Sequence, residues 1–236
     1  MEKKTIGIIG GMGPLATADL FRKIVLNTKA DRDQDHIRIL IDNNTNIPDR
    51  TAAILHHGEN PIPELTKSAV TLQAMGAQIL VMPCNTAHYF YADVQKSVDI
   101  PVLHMIELTQ KALIKKGIQK VGLLATEGTV NSGIYQDVFA KGGIEIVLPN
   151  KQGQDAIMDL IYGGVKAGKT DYDVTKVRKV MEDMLDRGAQ TLILGCTELP
   201  VAVDMYGLDY NTCDPTLMLA RGAIEAAGGT VCDTLG

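Results

Sequence analysis

Two stretches of this chain repeat one another, and the repeat limits what the chain can fold into. Met75-Gly-Ala-Gln-Ile-Leu-Val-Met-Pro-Cys84 and Arg187-Gly-Ala-Gln-Thr-Leu-Ile-Leu-Gly-Cys196 both run from Gly-Ala-Gln through an apolar stretch to a cysteine. Polar residues follow each at once, Asn85 and Thr86 in the first copy, Thr197 and Glu198 in the second. Gly76 to Gly188 and Cys84 to Cys196 are both separations of 112 residues. A short apolar run bounded by Gly and polar residues reads as a buried parallel strand. Residues at the carboxyl end of such a strand sit where open α/β sheets place their ligands. Two thiols at equivalent places in two similar halves suggest one ligand faced from opposite sides.

The rest of the chain duplicates around these stretches. Thr5 to Gly10 reads as a first strand, with Gly11-Met-Gly-Pro14 turning into a helix over Leu15 to Leu26. His36 to Asp42 is a second strand ending in the polar loop Asn43 to Arg50, and residues 51 to 60 are ambiguous. A helix over Ile62 to Met75 leads into the Cys84 strand, another starts at Thr86, and Ile100 to His104 reads as a short fourth strand. The second half restarts at Lys120 to Ala125, with Thr126-Glu-Gly-Thr129 as its turn; Gly7 and Gly122 are 115 residues apart. Ile144 to Leu148 echoes the second strand, Asp171 to Arg187 is an amphipathic helix, and Thr191 to Leu194 precedes Cys196. Asp214 and Pro215 open a final helix through Ala227, closed by Gly228-Gly229. Alternating strands and helices predict an α/β fold of two pseudo-symmetric lobes, each a mainly parallel sheet flanked by helices, with the active site in the cleft between them. Residues 1–104 plus 214–236 are expected to form the first lobe and residues 105–213 the second. The last helix can return to the first lobe.

Composition narrows the function classes. The 236 residues suit one large α/β domain or two small ones. A net charge of −5 and no basic stripe with interleaved aromatics argue against a nucleic-acid partner. The first residues enter a strand directly, without a signal peptide's apolar region, and no run approaches 18 apolar residues. A cytoplasmic protein with reduced cysteines and no membrane span is expected. The four cysteines, Cys84, Cys196, Cys213 and Cys232, form no C-x-x-C pair, and no H-x₃-H spacing occurs, so no metal site is expected. Cys213 and Cys232 also read as small buried hydrophobes.

A base on one face of a carbon and an acid on the other can move a proton across it and invert a stereocentre. Thiols suit this because their reference pKa of about 8.5 lets thiol and thiolate coexist near neutrality. Each of the paired cysteines precedes a predicted helix start, where the dipole and free N–H groups favour a thiolate. Asn85, Thr86 and Thr197 stand at those starts, suited to hold a carboxylate or an oxyanion, or simply to cap a helix. Glu198 can raise its neighbour's thiol by like-charge repulsion or serve the helix's first turn, and His88 can tune Cys84 or be structural.

Gly10-Gly-Met-Gly-Pro14, Pro83-Cys-Asn-Thr-Ala-His88 and Gly195-Cys-Thr-Glu-Leu-Pro200 resemble the aspartate/glutamate racemase family along the whole chain, and its aspartate racemase branch in particular. The glutamate branch carries Asp-Ser-Gly after the first strand and His after Cys-Thr; here Gly11-Met-Gly13 and Glu198 stand there. The resemblance implies a racemase without pyridoxal phosphate or other cofactor, a two-base mechanism and usually a homodimer. It makes Cys84 and Cys196 the proton donor and acceptor pair. It makes Arg50 and Lys166 the cations for an acidic amino acid's carboxylates, with Asn85, Thr86 and Ala87 on the α-carboxylate. Met12, Thr126 and Thr197 are further contacts. Aspartate is the expected substrate, with glutamate or other amino acids as further ones.

Two rivals remain. Gly11-Met-Gly-Pro-Leu-Ala16 matches the dinucleotide fingerprint of an NAD(P)-binding oxidoreductase, although Asp42 lies 31 positions after Gly11, farther than the usual 20 or so. A non-catalytic two-lobed amino-acid-binding protein would explain the cations but not the matched thiols.

Overall fold

The structure, a computed structural model, describes residues 3–232. Met1 and Glu2, with which the N-terminal reading began, and residues 233–236, the end of the expected first lobe, lie outside the described residues. The chain divides into two compact units, one drawing on Met1–Leu108 and Thr216–Gly236, the other on Thr109–Pro215.

The first unit contains β1 (Ile6–Ile9), α1 (Pro14–Asn27), β2 (Ile39–Asp42), α2 (Arg50–Leu55), α3 (Ile62–Ala74), β3 (Ile79–Val81) and α4 (Tyr91–Lys96). Its sheet runs β2-β1-β3, all parallel, with Ile8 opposite Ile41 and Val81. Pro14 takes the first helical position of α1, as expected, since a ring without an N–H loses nothing there. The ambiguous segment is helical only through Leu55: the Asp49 carboxylate accepts the Ala52 N–H at 2.7 Å and starts α2 at Arg50, and residues 56 to 60 lie outside the helix.

The second unit contains β4 (Lys120–Ala125), α6 (Glu127–Asn131), α7 (Ile134–Lys141), β5 (Glu145–Val147), α8 (Lys151–Asp159), α9 (Thr175–Asp186), β6 (Thr191–Gly195), α10 (Glu198–Tyr206) and β7 (Thr212–Cys213). The chain enters it through α5 (Met105–Lys115) and leaves into α11 (Pro215–Ala226). Its sheet is β5-β4-β6-β7, again parallel, with Ala125 opposite Gly195. β3 and β6 therefore hold the same place beside the first strand of their own sheets, which is the structural content of the sequence repeat.

The Gly-Ala-Gln element does the same work twice. Gly76 and Gly188 sit at φ of 97° and 92°, where a Cβ would be strained, and let α3 and α9 stop and turn. The next residue closes each turn: the Ala77 N–H reaches the Leu72 carbonyl at 3.0 Å and the Ala189 N–H reaches that of Met184 at 3.1 Å. The glutamines then cap the first strands. Gln78 Oε1 accepts the Thr5 N–H at 3.0 Å; Gln190 Oε1 accepts those of Gln119 and Lys120 at 2.8 and 3.0 Å.

Three expectations need correction. Ile100 to His104 forms no fourth strand. Only a bridge from Leu80 to Val102 remains, because Pro101 offers a carbonyl to Leu80 but has no N–H to extend a ladder. No α-helix starts at Thr86; residues Thr86–Phe90 form a 3₁₀ helix and α4 begins at Tyr91. The charged helix begins at Thr175, not Asp171.

One face of the first sheet packs on α1 and α11, with Ile6, Ile8, Leu20, Ile24, Leu219, Ala223 and Ile224 buried together. The other gathers Ile9, Leu65, Leu72, Leu80 and Met82, and this cluster extends to Met12, Ile47, Cys84 and Ala87. In the second unit, Leu124, Leu192 and Leu194 pack against Ile157 and Leu160, and Met181 and Met184 of α9 join that cluster, which also takes in Cys196.

Candidate active site

In the first unit, Cys84 follows β3 and is 6% exposed. The strand ends there because Pro83 breaks it and the Cys84 N–H turns back to the Met82 carbonyl at 2.9 Å. Asn85, Thr86, Ala87 and His88 follow, all buried. Asn85 does not cap the 3₁₀ helix with its side chain. His88 does not reach the thiol. Its Nδ1 donates to the Cys84 carbonyl at 2.8 Å, and its Nε2 accepts the Met105 N–H at 3.0 Å, which requires the neutral tautomer. Burial first, then the charge of nearby His104, pushes the His88 pKa down to about 3. His88 is thus a neutral strut between the Cys84 loop and the start of α5, and His104 packs edge-on at 4.9 Å.

Arg50 opens α2, the helix that packs on the 3₁₀ helix after Cys84. One guanidinium nitrogen donates to the carbonyls of Ile47 and Pro48 at 3.2 and 2.9 Å, while its buried Nε has no acceptor among the described residues. A buried guanidinium N–H without a partner costs free energy unless an acceptor arrives. Met12 lies in the apolar cluster that includes Cys84.

In the second unit, Cys196 follows β6 and is 8% exposed. Its Sγ donates to Glu198 Oε2 at 2.9 Å, and the Thr197 hydroxyl donates to the same oxygen at 3.1 Å. Lys166 follows a π-helical segment, Leu160–Val165, that packs on α10. It places Nζ 3.6 Å from Glu198 Oε1 and 4.5 Å from the centre of the Tyr162 ring. Thr126 comes to this site through the strand register, since Ala125 pairs with Gly195. Its hydroxyl caps α6 by accepting the Thr129 N–H at 3.3 Å.

The thiolate expected at Cys196 is not what these surroundings favour. Burial raises its pKa well above the ordinary thiol value, and the Glu198 carboxylate raises it further, against a smaller opposing effect of Lys166. Burial and an adjacent carboxylate outweigh the lowering effects of the Glu198 backbone N–H and of Lys166. Glu198, for which the sequence left open repulsion of the neighbouring thiol or service in the helix's first turn, is the hub of this cluster and does raise that thiol. Cys213, in β7, is a buried thiol raised to about 12 by burial.

Each unit thus holds its own predicted residues together: Cys84, Asn85, Thr86, Ala87, Met12 and Arg50 in one, Cys196, Thr197, Thr126 and Lys166 in the other. A groove of about 660 Å³ between α8 and α9, lined by Asp155, Asp159, Tyr172, Lys176 and Lys179, contains none of them. The glycine-rich turn after β1 leaves no space of the kind a nucleotide fingerprint needs. A Cβ on Gly11 would meet the Asn44 carbonyl oxygen at 2.2 Å, so the protein's own loop occupies the close approach. Among the described residues no three His, Cys, Asp or Glu side chains group as metal ligands, and no helix is long and apolar enough to cross a membrane.

A duplicated parallel α/β fold with a buried cysteine ending the equivalent strand of each unit defines a class of two-unit α/β proteins. Within that class the chain belongs to the Asp/Glu/hydantoin racemase family, whose model matches residues 9–221. It is 34% identical to the aspartate racemase of Picrophilus torridus, at a TM-score of 0.83 over 97% of this chain and 96% of that one. It is 28% identical to the broad specificity amino-acid racemase RacX of Bacillus subtilis (strain 168), over 93% of this chain and 96% of the relative. Glutamate racemase from Francisella tularensis, at 22% identity and a TM-score of 0.63, shares the fold, covering 96% of this chain and 81% of that one. Neither the oxidoreductase nor the binding-protein reading finds support in these comparisons.

Proposed function

We propose that the protein racemises aspartate without a cofactor, using Cys84 and Cys196 as a two-base pair on opposite faces of the α-carbon of one substrate. The observation that carries this reading is the pair of buried thiols that follow equivalent strands in two duplicated units. In the proposed step one thiolate removes the α-proton and the other cysteine's thiol delivers a proton to the opposite face. Arg50 and Lys166 grip the two carboxylates, Arg50 through a guanidinium suited to bidentate contact. Asn85, Thr86, Ala87 and Thr197 steady the developing charge on the α-carboxylate, and Met12 and Thr126 complete the surround. The aspartate and broad-specificity racemases among the relatives support an amino-acid substrate, with glutamate and neutral amino acids to be ranked against aspartate by a substrate panel. A homodimer in a reducing cytoplasm is part of the same proposal, and light scattering in solution tests the dimer.

The experiment is replacement of each cysteine. Cys84→Ala and Cys196→Ala should each abolish racemisation, followed by chiral chromatography, while leaving the circular dichroism unchanged. Near-normal turnover in either variant contradicts the two-base assignment.

A further inference from the structure

The cysteines are unlike in one respect the racemase reading leaves unexplained. Cys196 has a carboxylate in direct hydrogen-bond contact, and that carboxylate is held from three sides. Oε2 takes the Cys196 thiol at 2.9 Å and the Thr197 hydroxyl at 3.1 Å, while Oε1 faces Lys166 Nζ at 3.6 Å. The Glu198 side chain is only 15% exposed, so the contact sits where water screens little. All four residues belong to one unit and three are consecutive, which fixes the arrangement locally.

We propose that Glu198 is a positioning residue for Cys196: its carboxylate aims the Sγ proton, holds the sulfur as a thiol between turnovers, and exchanges that proton with it, with Lys166 moderating the carboxylate from its other oxygen. The proposal rests on the reading of Cys196 as one of two proton-transfer groups. When Cys196 acts as the base, the Sγ–H bond breaks and an Oε2–H bond forms, leaving a thiolate beside a neutral carboxyl. The thiolate then takes the α-proton, Glu198 releases its proton to water, and Cys84, having given its proton to the substrate, regains one from water. When Cys196 acts as the acid, its proton goes to the α-carbon and water restores it. A substrate carboxylate that draws Lys166 away strengthens Glu198 as an acceptor, so binding an acidic substrate would itself prime the exchange.

The charged groups acting on this thiol support the assignment. Glu198 raises it and Lys166 lowers it, in addition to burial. Tyr135 from α7 also lies near enough to sense Cys196, as it senses Cys213 and Asp214, but burial keeps its phenol protonated far above neutrality.

The test is the pH dependence of iodoacetamide alkylation at Cys196 in the full chain, followed by peptide mass spectrometry over about pH 6 to 10. In Glu198→Gln the half-point should fall by about one unit or more, so that below it alkylation runs about tenfold faster. Racemisation kcat should drop roughly 100-fold with little change in KM, the size expected for losing a proton-transfer partner. Glu198→Asp, which keeps the charge one methylene short, should shift the half-point less. An alkylation profile in Glu198→Gln that matches the wild type overturns the proposal. Should Glu198→Gln lose its native circular dichroism, Lys166→Met decides: removing the moderating cation must slow Cys196 alkylation, and an equal or faster rate overturns the proposal. If Cys196→Ala still racemises, the two-cysteine reading fails, whereas the alkylation profile still judges Glu198 by itself.

Discussion

At the scale of single residues, the two cysteines have different keepers. Glu198 touches the Cys196 sulfur, whereas His88 touches only the Cys84 backbone. The His88 pKa of about 3 against an ordinary 6.5 has a consequence for stability. The unfolded chain protonates this ring below about pH 6.5 and the folded chain does not until near pH 3. The contribution is therefore fully present above pH 6.5 and is lost as pH falls toward 3. In urea denaturation, this one group should contribute a slope of about 1.4 kcal/mol per pH unit between roughly pH 6 and 5. His88→Gln should be less stable at neutral pH but lack that slope; an identical slope in the variant contradicts the account. Arg50 and Lys166 separate in the same way. Arg50→Gln should raise KM for aspartate about 10- to 100-fold, from losing a charged hydrogen bond of about 1.5–3 kcal/mol, and leave the pH profile in place. Lys166→Met should alter both KM and profile, because Lys166 also faces Glu198. An unchanged KM removes either residue from the substrate.

The sequence exposed the identity of these residues better than their state. Cys84, Cys196 and the polar residues after them were legible because they repeat. The raised thiol was not, because burial depth and the direction of the Glu198 carboxylate follow from tertiary packing rather than spacing. Glu198 was visible as a neighbour, but only the structure shows which oxygen takes the thiol and which faces the lysine.

At the scale of elements, the Gly-Ala-Gln repeat is a joint: a helix stop, a turn and a cap on a neighbouring strand. Gly188→Ala should cost about 1 kcal/mol through its positive φ. Gln190→Ala removes the acceptor for two strand N–H groups and should cost about as much. Thermal melts would register both, and a variant as stable as the parent contradicts the role given to that residue. Gly7 and Gly122 are repeated for a different reason. A Cβ on either would press into the leucine of the next strand, Leu80 at 2.6 Å and Leu192 at 2.5 Å. Long periodic helices and apolar strands could be read from sequence because their patterns are local. The short fourth strand was misread because Val102 and Leu103 look like strand residues while Pro101 cannot pair. α2 was missed although Asp49 marks its start, since six residues carry too little periodicity. The π-helical segment that delivers Lys166 has no local signal at all.

At the scale of the whole molecule, the repeat explains why one chain builds two similar parallel sheets and ends the same strand of each in a cysteine. Membership of the racemase family turns that symmetry into a chemical expectation: a reaction with two equivalent faces. The central claim is that protons enter and leave the α-carbon through different groups. The most direct measurement is racemisation of L-aspartate in heavy water, stopped early, with α-deuterium scored separately in each enantiomer. The account predicts deuterium in the D-aspartate formed and little in the L-aspartate recovered, because the group that delivers has exchanged with solvent and the group that removes does not return its proton. Deuterium appearing as fast in the recovered L-aspartate as in the product would mean that a single group works on both faces.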